Sequence, residues 1–313
     1  MPTSVKLDPD TVYQLDDLER WPGQGTHLAV LGDPVAHSLS PRMYRAALNC
    51  MAQTQPQFAD WHYVKILVPE GALGPALEKL WAKGFLGMNL VLPHKVAAVN
   101  LAAELDANAA EVGAVNTLLR LPSGGYKGYN TDTFGLEEAL RRDLEVEITG
   151  ADIILLGAGG AAQATACHLL RCDCRSLWIG NRSQDRLGRV LEQLMPVAGK
   201  GRLFGFDLTQ PPPELPQSGV LINGTSLGLH QGDPAPIDLS CFSDTLKIYD
   251  MTYGHENALC LAARARDIPY ADGASMLVWQ GVRAMELYSR VTVPAQPMMA
   301  AVCAGSGCAV RHV

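Results

Sequence analysis

The sequence predicts an α/β protein of two domains, and three observations carry that expectation. Short apolar or β-branched runs alternate with helical stretches, as βαβ units and parallel sheets require. One strand, a glycine turn and an alanine-rich helix follow directly on one another in ADIILLGAGGAAQATACHLLRC, residues 151 to 172. At 313 residues, 48% hydrophobic and 18% charged, the chain is also long enough to fill two cores.

The elements follow in order. THLAVLGDP (26 to 34) reads as a first strand, and the segment from Pro41 through Cys50 as a helix. WHYVKILVP (61 to 69), GALGPALEKLWAKG and GMNLVLP repeat a strand, a helix and a strand. Near residue 130 the pattern starts afresh with the glycine-turn unit, followed by SLWIGNRS (176 to 183) as the next strand. The proline-rich TQPPPELPQ is a connector before the strands GVLINGTS and LKIYDMTY. The expected boundaries are an N-terminal α/β domain at 1–134, completed by a helix returning over 274–313, and a second domain at 135–273. The first 25 residues carry no readable element, and residues 294 to 313 depart from a clean helical pattern.

Composition excludes several functions. A formal charge of −7 argues against nucleic acid or an anionic membrane as partner, since both need clustered basic charge. The N-terminal MPTSVKLDPD has no apolar core of a signal peptide, and no run approaches the ~20 apolar residues a bilayer needs. A cytoplasmic monomer or homodimer acting on a small molecule is the expectation. The eight cysteines form no CxxC pair and have no flanking histidine pair, so no metal is expected. Free thiols are the expected state, with Cys303 and Cys308 the one pair close enough in sequence to watch.

The glycine turn is the first chemical signal. Gly157, Gly159 and Ala162 fill the pattern G-x-G-x-x-G/A after four apolar strand residues, so the second domain is expected to be a Rossmann dinucleotide-binding domain. Gly157, Ala158, Gly159, Gly160 and Ala161 would then lie against a pyrophosphate at a helix N-terminus. The following strand ends in Asn181, Arg182 and Ser183, where NAD-binding chains place an acidic residue for the ribose. A guanidinium and a short hydroxyl suit a 2′-phosphate, which favours NADP over NAD.

The first domain holds the other dense motifs. HSLSP puts Ser38 and Ser40 at a strand-to-helix turn, with Pro41 suited to the first helical position. Those hydroxyls could receive a carboxylate or simply cap the helix. MNLVLPHK sets Lys95 just beyond a buried strand, while EVGAVNTLL and GYNTDTFG supply Asn116 and Asp132 near strand ends or turns.

Taken in order, HSLSP, PHK, GAVNT, GYNTD and GAGGAA, with INGTSLG, YDMTY and DGASMLVWQG further on, resemble the shikimate dehydrogenase family over about residues 27 to 290. The resemblance implies a two-domain enzyme interconverting 3-dehydroshikimate and shikimate with NADPH. It assigns Lys95 and Asp132 as the catalytic pair, Ser38 and Ser40 to the substrate carboxylate, and Asn116 to ring hydroxyls. Tyr253 and Gln280 match later substrate contacts, Arg182 a phosphate contact, and Asn223, Thr225 and Ser226 the nicotinamide side. Ketone reduction needs a proton on oxygen as well as a hydride on carbon, and a positioned ammonium supplies the proton. Two departures stand out: Val91 replaces the threonine of N-x-T-x-P-x-K, and His255 and Ala258 replace a proline and a threonine after Tyr253. A sister dehydrogenase for quinate, an aminoshikimate or another hydroxylated cyclic acid would keep Lys95 and Asp132, and a non-catalytic dinucleotide sensor would not need both.

Overall fold

Apolar runs become strands where both faces are covered, and this chain does so twice. The computed structural model describes residues 7–199 and 201–306. The chain divides into a first unit, running to Phe134 and taking back Val278–Gly305, and a second unit that holds Gly135–Leu277.

In the first unit the strands are β1 (Val12–Tyr13), β2 (Thr26–Gly32), β3 (Trp61–Leu67), β4 (Gly87–Leu90), β5 (Glu104–Leu105), β6 (Thr117–Arg120) and β7 (Tyr126–Tyr129). Their spatial order is β1-β3-β2-β4-β6-β7-β5. The helices are α1 (Ser40–Ala52), α2 (Leu73–Ala82), α3 (His94–Leu101) and α4 (Ala107–Val112). The sheet is mixed: β1 to β4 run parallel, but β6 is antiparallel to both β4 and β7. The purely parallel pattern suggested by the sequence is corrected here, because the turn-rich stretch after Asn116 folds as a short hairpin whose strands are four residues each. The silent N-terminus is also structured: Tyr13, Leu18 and Trp21 enter the first core beside Phe85 and Met88.

In the second unit the strands are β8 (Asp152–Leu156), β9 (Ser176–Asn181), β10 (Leu203–Asp207), β11 (Gly219–Asn223), β12 (Leu246–Asp250) and β13 (Tyr270–Ala271). Every pairing is parallel, in the order β10-β9-β8-β11-β12-β13. Counted from β8 this is the 3-2-1-4-5-6 order of a Rossmann sheet. Its central strand β8 is apolar on both faces because both are buried: Ile153 and Leu155 enter one core while Ile154 and Leu156 enter the other. Helices α6 (Gly160–Arg171), α7 (Gln184–Ala198) and α8 (Ala258–Ala265) belong to this unit.

Two helices span the boundary between units, α5 (Asp132–Leu144) and α9 (Ala274–Ser289). The first unit takes the chain back at Val278, inside α9, and Ser275 in the first turn of that helix bonds the Asp143 carboxylate of the second unit. Beyond it lies α10 (Ala295–Ser306), where no clean helix was expected. Its Met298 and Val302 are buried, and its run of small residues hides the amphipathic stripe that usually betrays a helix. Cys303 is buried in α10, and its neighbour in sequence, Cys308, lies outside the described residues. Among the described residues, no helix is long and apolar enough to cross a membrane.

Candidate active site

The site in the first unit is built on strand ends and helix starts. His94 opens α3 and is buried, its Nε2 2.8 Å from the Val68 carbonyl, so the next residue is held in place. That residue is Lys95, whose carbonyl also accepts from the Val115 amide at 2.8 Å. Asp132 is the first residue of α5, and the Asn130 side chain accepts from its amide at 3.1 Å, an Asx turn at the helix start. The Lys95 ammonium donates to Asp132 Oδ2 at 2.7 Å, with 31% of the lysine and 26% of the aspartate side chain exposed.

The other carboxylate oxygen is held as well. Asn116 Nδ2 donates to Asp132 Oδ1 at 2.8 Å, and also lies 3.0 Å from Thr131 Oγ1 and 3.4 Å from Gln280 Oε1. Asn116 Oδ1 accepts from the Thr131 amide at 2.8 Å, which leaves the side chain no freedom to flip. Four of the expected residues, Lys95, Asn116, Asp132 and Gln280, are therefore joined in one network. An ammonium has three protons, so one held by Asp132 leaves others to face an incoming oxygen.

Behind this network lies a buried polar layer that the sequence reading missed. Asn89 in β4 accepts from the Tyr63 hydroxyl at 2.8 Å and donates to Thr117 Oγ1 at 3.0 Å. Tyr63 stacks on Tyr44 with ring centroids 4.1 Å apart, and burial raises both phenols well above the ordinary tyrosine range. A polar residue inside an apolar strand, Asn89 between Met88 and Leu90, was the available signal. Ser40, 7% exposed, begins α1 with Pro41 behind it. Ser38 Oγ accepts from the Ser40 amide at 3.3 Å, so the two serines share one tight turn and Ser38 keeps its proton for another acceptor. Val91 packs against the end of β2, where a Cβ added to Gly32 would meet Val91 Cγ2 at 2.2 Å.

The second unit provides a different kind of site. Gly157 follows β8 with φ +107°, and a Cβ there would come within 3.0 Å of the Gly224 carbonyl, so only glycine suits the turn. Gly159 is the N-cap of α6 and offers no side-chain cap; a Cβ on Gly159 or Gly160 would meet nothing within 4 Å. Ala158 is buried and Ala161 exposed. Uncapped amides facing open space at a helix N-terminus are a site for phosphate oxygens. Past β9, Arg182 is exposed, and among the described residues its guanidinium has no acidic partner. This set fits a dinucleotide carrying an additional phosphate.

The other expected cofactor contacts have hydrogen-bonded neighbours of their own. Asn181 Nδ2 bonds the Ser183 carbonyl at 2.9 Å, and Ser183 Oγ accepts from the Arg186 amide as the N-cap of α7, so both side chains shape the loop that carries Arg182. Asn223 is fully buried, its Nδ2 on Leu227 O at 3.0 Å and on Asp250 Oδ1 at 2.9 Å, its Oδ1 accepting from Thr225 Oγ1 at 2.7 Å. These bonds shape the loop that follows β11. Thr225 turns its methyl toward Gly157, and Ser226 is exposed. Asp250, at the end of β12, went unnoticed in the sequence: it is fully buried and accepts from Asn223, Thr252 and Asn257. Tyr253, its phenol raised by burial, belongs to this second unit, whereas Ser38, Ser40, Lys95, Asn116, Asp132 and Gln280 all belong to the first.

Comparison with known proteins bears on both units. A model described as the shikimate dehydrogenase substrate binding domain matches residues 30–118. A protein from Methanothrix thermoacetophila named shikimate dehydrogenase (NADP(+)) is 37% identical over 281 residues, 89% of this chain and 97% of its own length. The chain belongs to the shikimate dehydrogenase family. Among shikimate dehydrogenases of known structure, that of Thermus thermophilus, solved in complex with NADP(H) and shikimate, is 29% identical with a TM-score of 0.77, covering 90% of this chain and 99% of that one. The Aquifex aeolicus structure is 26% identical with a TM-score of 0.78, covering 90% and 98%.

Proposed function

We propose that this chain is an NADP-dependent oxidoreductase that interconverts 3-dehydroshikimate and shikimate. The observation that carries the reading is the 2.7 Å contact between Lys95 and an Asp132 carboxylate whose second oxygen is fixed by Asn116. Residues far apart in sequence converge there on one partly exposed ammonium. Support also comes from the relatives, which are named for this reaction and its nucleotide.

NADPH, when bound, supplies the hydride to the carbonyl carbon. Lys95 donates a proton to the carbonyl oxygen as it becomes the alcohol, and the amine regains its proton from solvent. In the reverse direction the neutral amine takes the alcohol proton. Asp132 aims the ammonium and accepts from the hydroxyl next to the reacting carbon, while Asn116 and Gln280 hold ring hydroxyls. The hydroxyls of Ser38 and Ser40 bind the substrate carboxylate, and Tyr253 is a further substrate contact. The amides around Gly157, Ala158, Gly159, Gly160 and Ala161 receive the pyrophosphate, and Arg182 the 2′-phosphate. Thr225 and Ser226 flank the nicotinamide on the loop that Asn223 shapes. The protein works in the cytoplasm as a monomer or homodimer.

Purified protein is expected to reduce NADP with shikimate, followed at the absorbance of the reduced nucleotide, more efficiently than with quinate or with NAD. If no shikimate-dependent reduction of either nucleotide occurred, the reading would be wrong. If quinate were turned over faster than shikimate, the chemistry would stand and the substrate would change.

A further inference from the structure

A second cluster of chemically capable side chains lies in the second unit, outside the site described above. His168 stands near the C-terminal end of α6 and Cys172 is its C-cap, four residues on and therefore on the same helix face. Glu137 comes from α5. Its Oε2 lies 3.6 Å from His168 Nε2, and Cys172 Sγ lies 3.6 Å from the same nitrogen and 3.8 Å from Nδ1. One ligand atom from each residue lies within 4.8 Å of the others. Around a tetrahedral zinc ion, with bonds of about 2.0 to 2.3 Å, neighbouring ligand atoms stand roughly 3.3 to 3.6 Å apart. The two distances centred on Nε2 are already near that range. The sulfur is almost equidistant from both ring nitrogens, so either nitrogen is within reach of an ion that it also binds.

Burial lowers the His168 pKa to about 4. Burial, with Glu137 and Asp173 nearby, pushes the Cys172 thiol up to about 11. Burial and the neighbouring Glu138 and Glu147 raise Glu137, against the opposing charge of Arg141.

We infer that Glu137, His168 and Cys172 form a binding site for one zinc-class divalent cation, with water as the fourth ligand. Binding converts the thiol to a thiolate and releases its proton to solvent. A sulfur, nitrogen and oxygen donor set selects zinc or cobalt over magnesium or calcium. The ion would tie α5 to the far end of α6, a link that does not depend on the reaction proposed above. Sequence windows could not show it, because Glu137 lies 31 positions before His168 and the cysteine has no CxxC partner.

The test is Co²⁺ titration of the full-length protein after chelator treatment and gel filtration. One equivalent is expected to produce a thiolate-to-cobalt charge-transfer band, displaced by Zn²⁺ and not by excess Mg²⁺. Cys172→Ser should abolish the band, and His168→Gln should weaken Co²⁺ binding about tenfold or more. Zn²⁺ should raise the thermal midpoint of the wild type and not that of Cys172→Ser. Absence of the band, or its persistence in Cys172→Ser, would mean an adventitious ion only and would overturn the inference. Shikimate oxidation by Cys172→Ser is expected within about twofold of wild type, and a larger loss would contradict the claim that this link is independent of the reaction.

Discussion

Asp132 and Asp250 are carboxylates with opposite surroundings, one in each unit. Asp132 keeps 26% of its side chain exposed and faces an ammonium, with an amide on its other oxygen. Asp250 is fully buried and is held by the amides of Asn223 and Asn257 and by the amide and hydroxyl of Thr252. The difference teaches how one functional group is given two tasks. A carboxylate that orients a proton donor must stay open to the substrate, and so gains little stability from its pair. A carboxylate that only fixes loops can be buried, provided neutral donors replace the water it gave up.

The largest expected effect would break the first half of this comparison. Lys95→Ala should lower kcat for shikimate oxidation about 10³-fold, equivalent to about 4 kcal/mol of barrier, with the denaturation midpoint nearly unchanged. Asp250→Ala should do the reverse to stability: stranding three buried donor residues should cost about 3 kcal/mol or more in urea unfolding. A variant that unfolds at the wild-type urea concentration would show that the buried hydrogen bonds are not needed.

How far the two sites were legible in the sequence follows the same division. The glycine turn is local, because strand, turn and helix lie within residues 151 to 172, and so its geometry can be reasoned from neighbours. Lys95, Asn116, Asp132 and Gln280 each sit in ordinary surroundings and acquire meaning only through contacts across as many as 164 positions. Ordered motifs could name them, but spacing could not place them together. Asp250 and Asn89 were missed since one charged or amide residue in an apolar strand looks the same whether it faces a ligand or a neighbour. The β6–β7 hairpin was passed over because its strands are four residues long and flank a glycine pair, which reads as loop.

A smaller effect sharpens the nucleotide half of the comparison. Arg182→Ala should raise the KM for NADP about tenfold while leaving the KM for NAD little changed, as expected for the loss of one charge-assisted contact to a 2′-phosphate. Equal weakening of both nucleotides would assign Arg182 to the shared part of the cofactor.

The smallest effect concerns acid. Burial, and then the charge of His62, lowers the His27 pKa in the first unit to about 4, and burial lowers that of His168 in the second to about the same value. Their unfolded values lie near 6.5, so as pH falls the unfolded chain takes up these protons first. Stability is therefore expected to be full above about pH 6.5 and to decline towards pH 4, by roughly 1 kcal/mol or more per histidine. His27→Gln should flatten the decline in urea midpoint between pH 7 and pH 5, and an unchanged slope would remove His27 as a cause.

The central claim is that Lys95 and Asp132 act as one proton-transfer unit, and a double-mutant cycle on kcat tests it most directly. Lys95→Ala, Asp132→Asn and the double variant would be compared with wild type for shikimate oxidation with NADP. The double variant is predicted to be no slower than Lys95→Ala, because an aspartate that works through the lysine has nothing left to orient. Losses that simply multiply, or a Lys95→Ala enzyme that turns over at the wild-type rate, would contradict it.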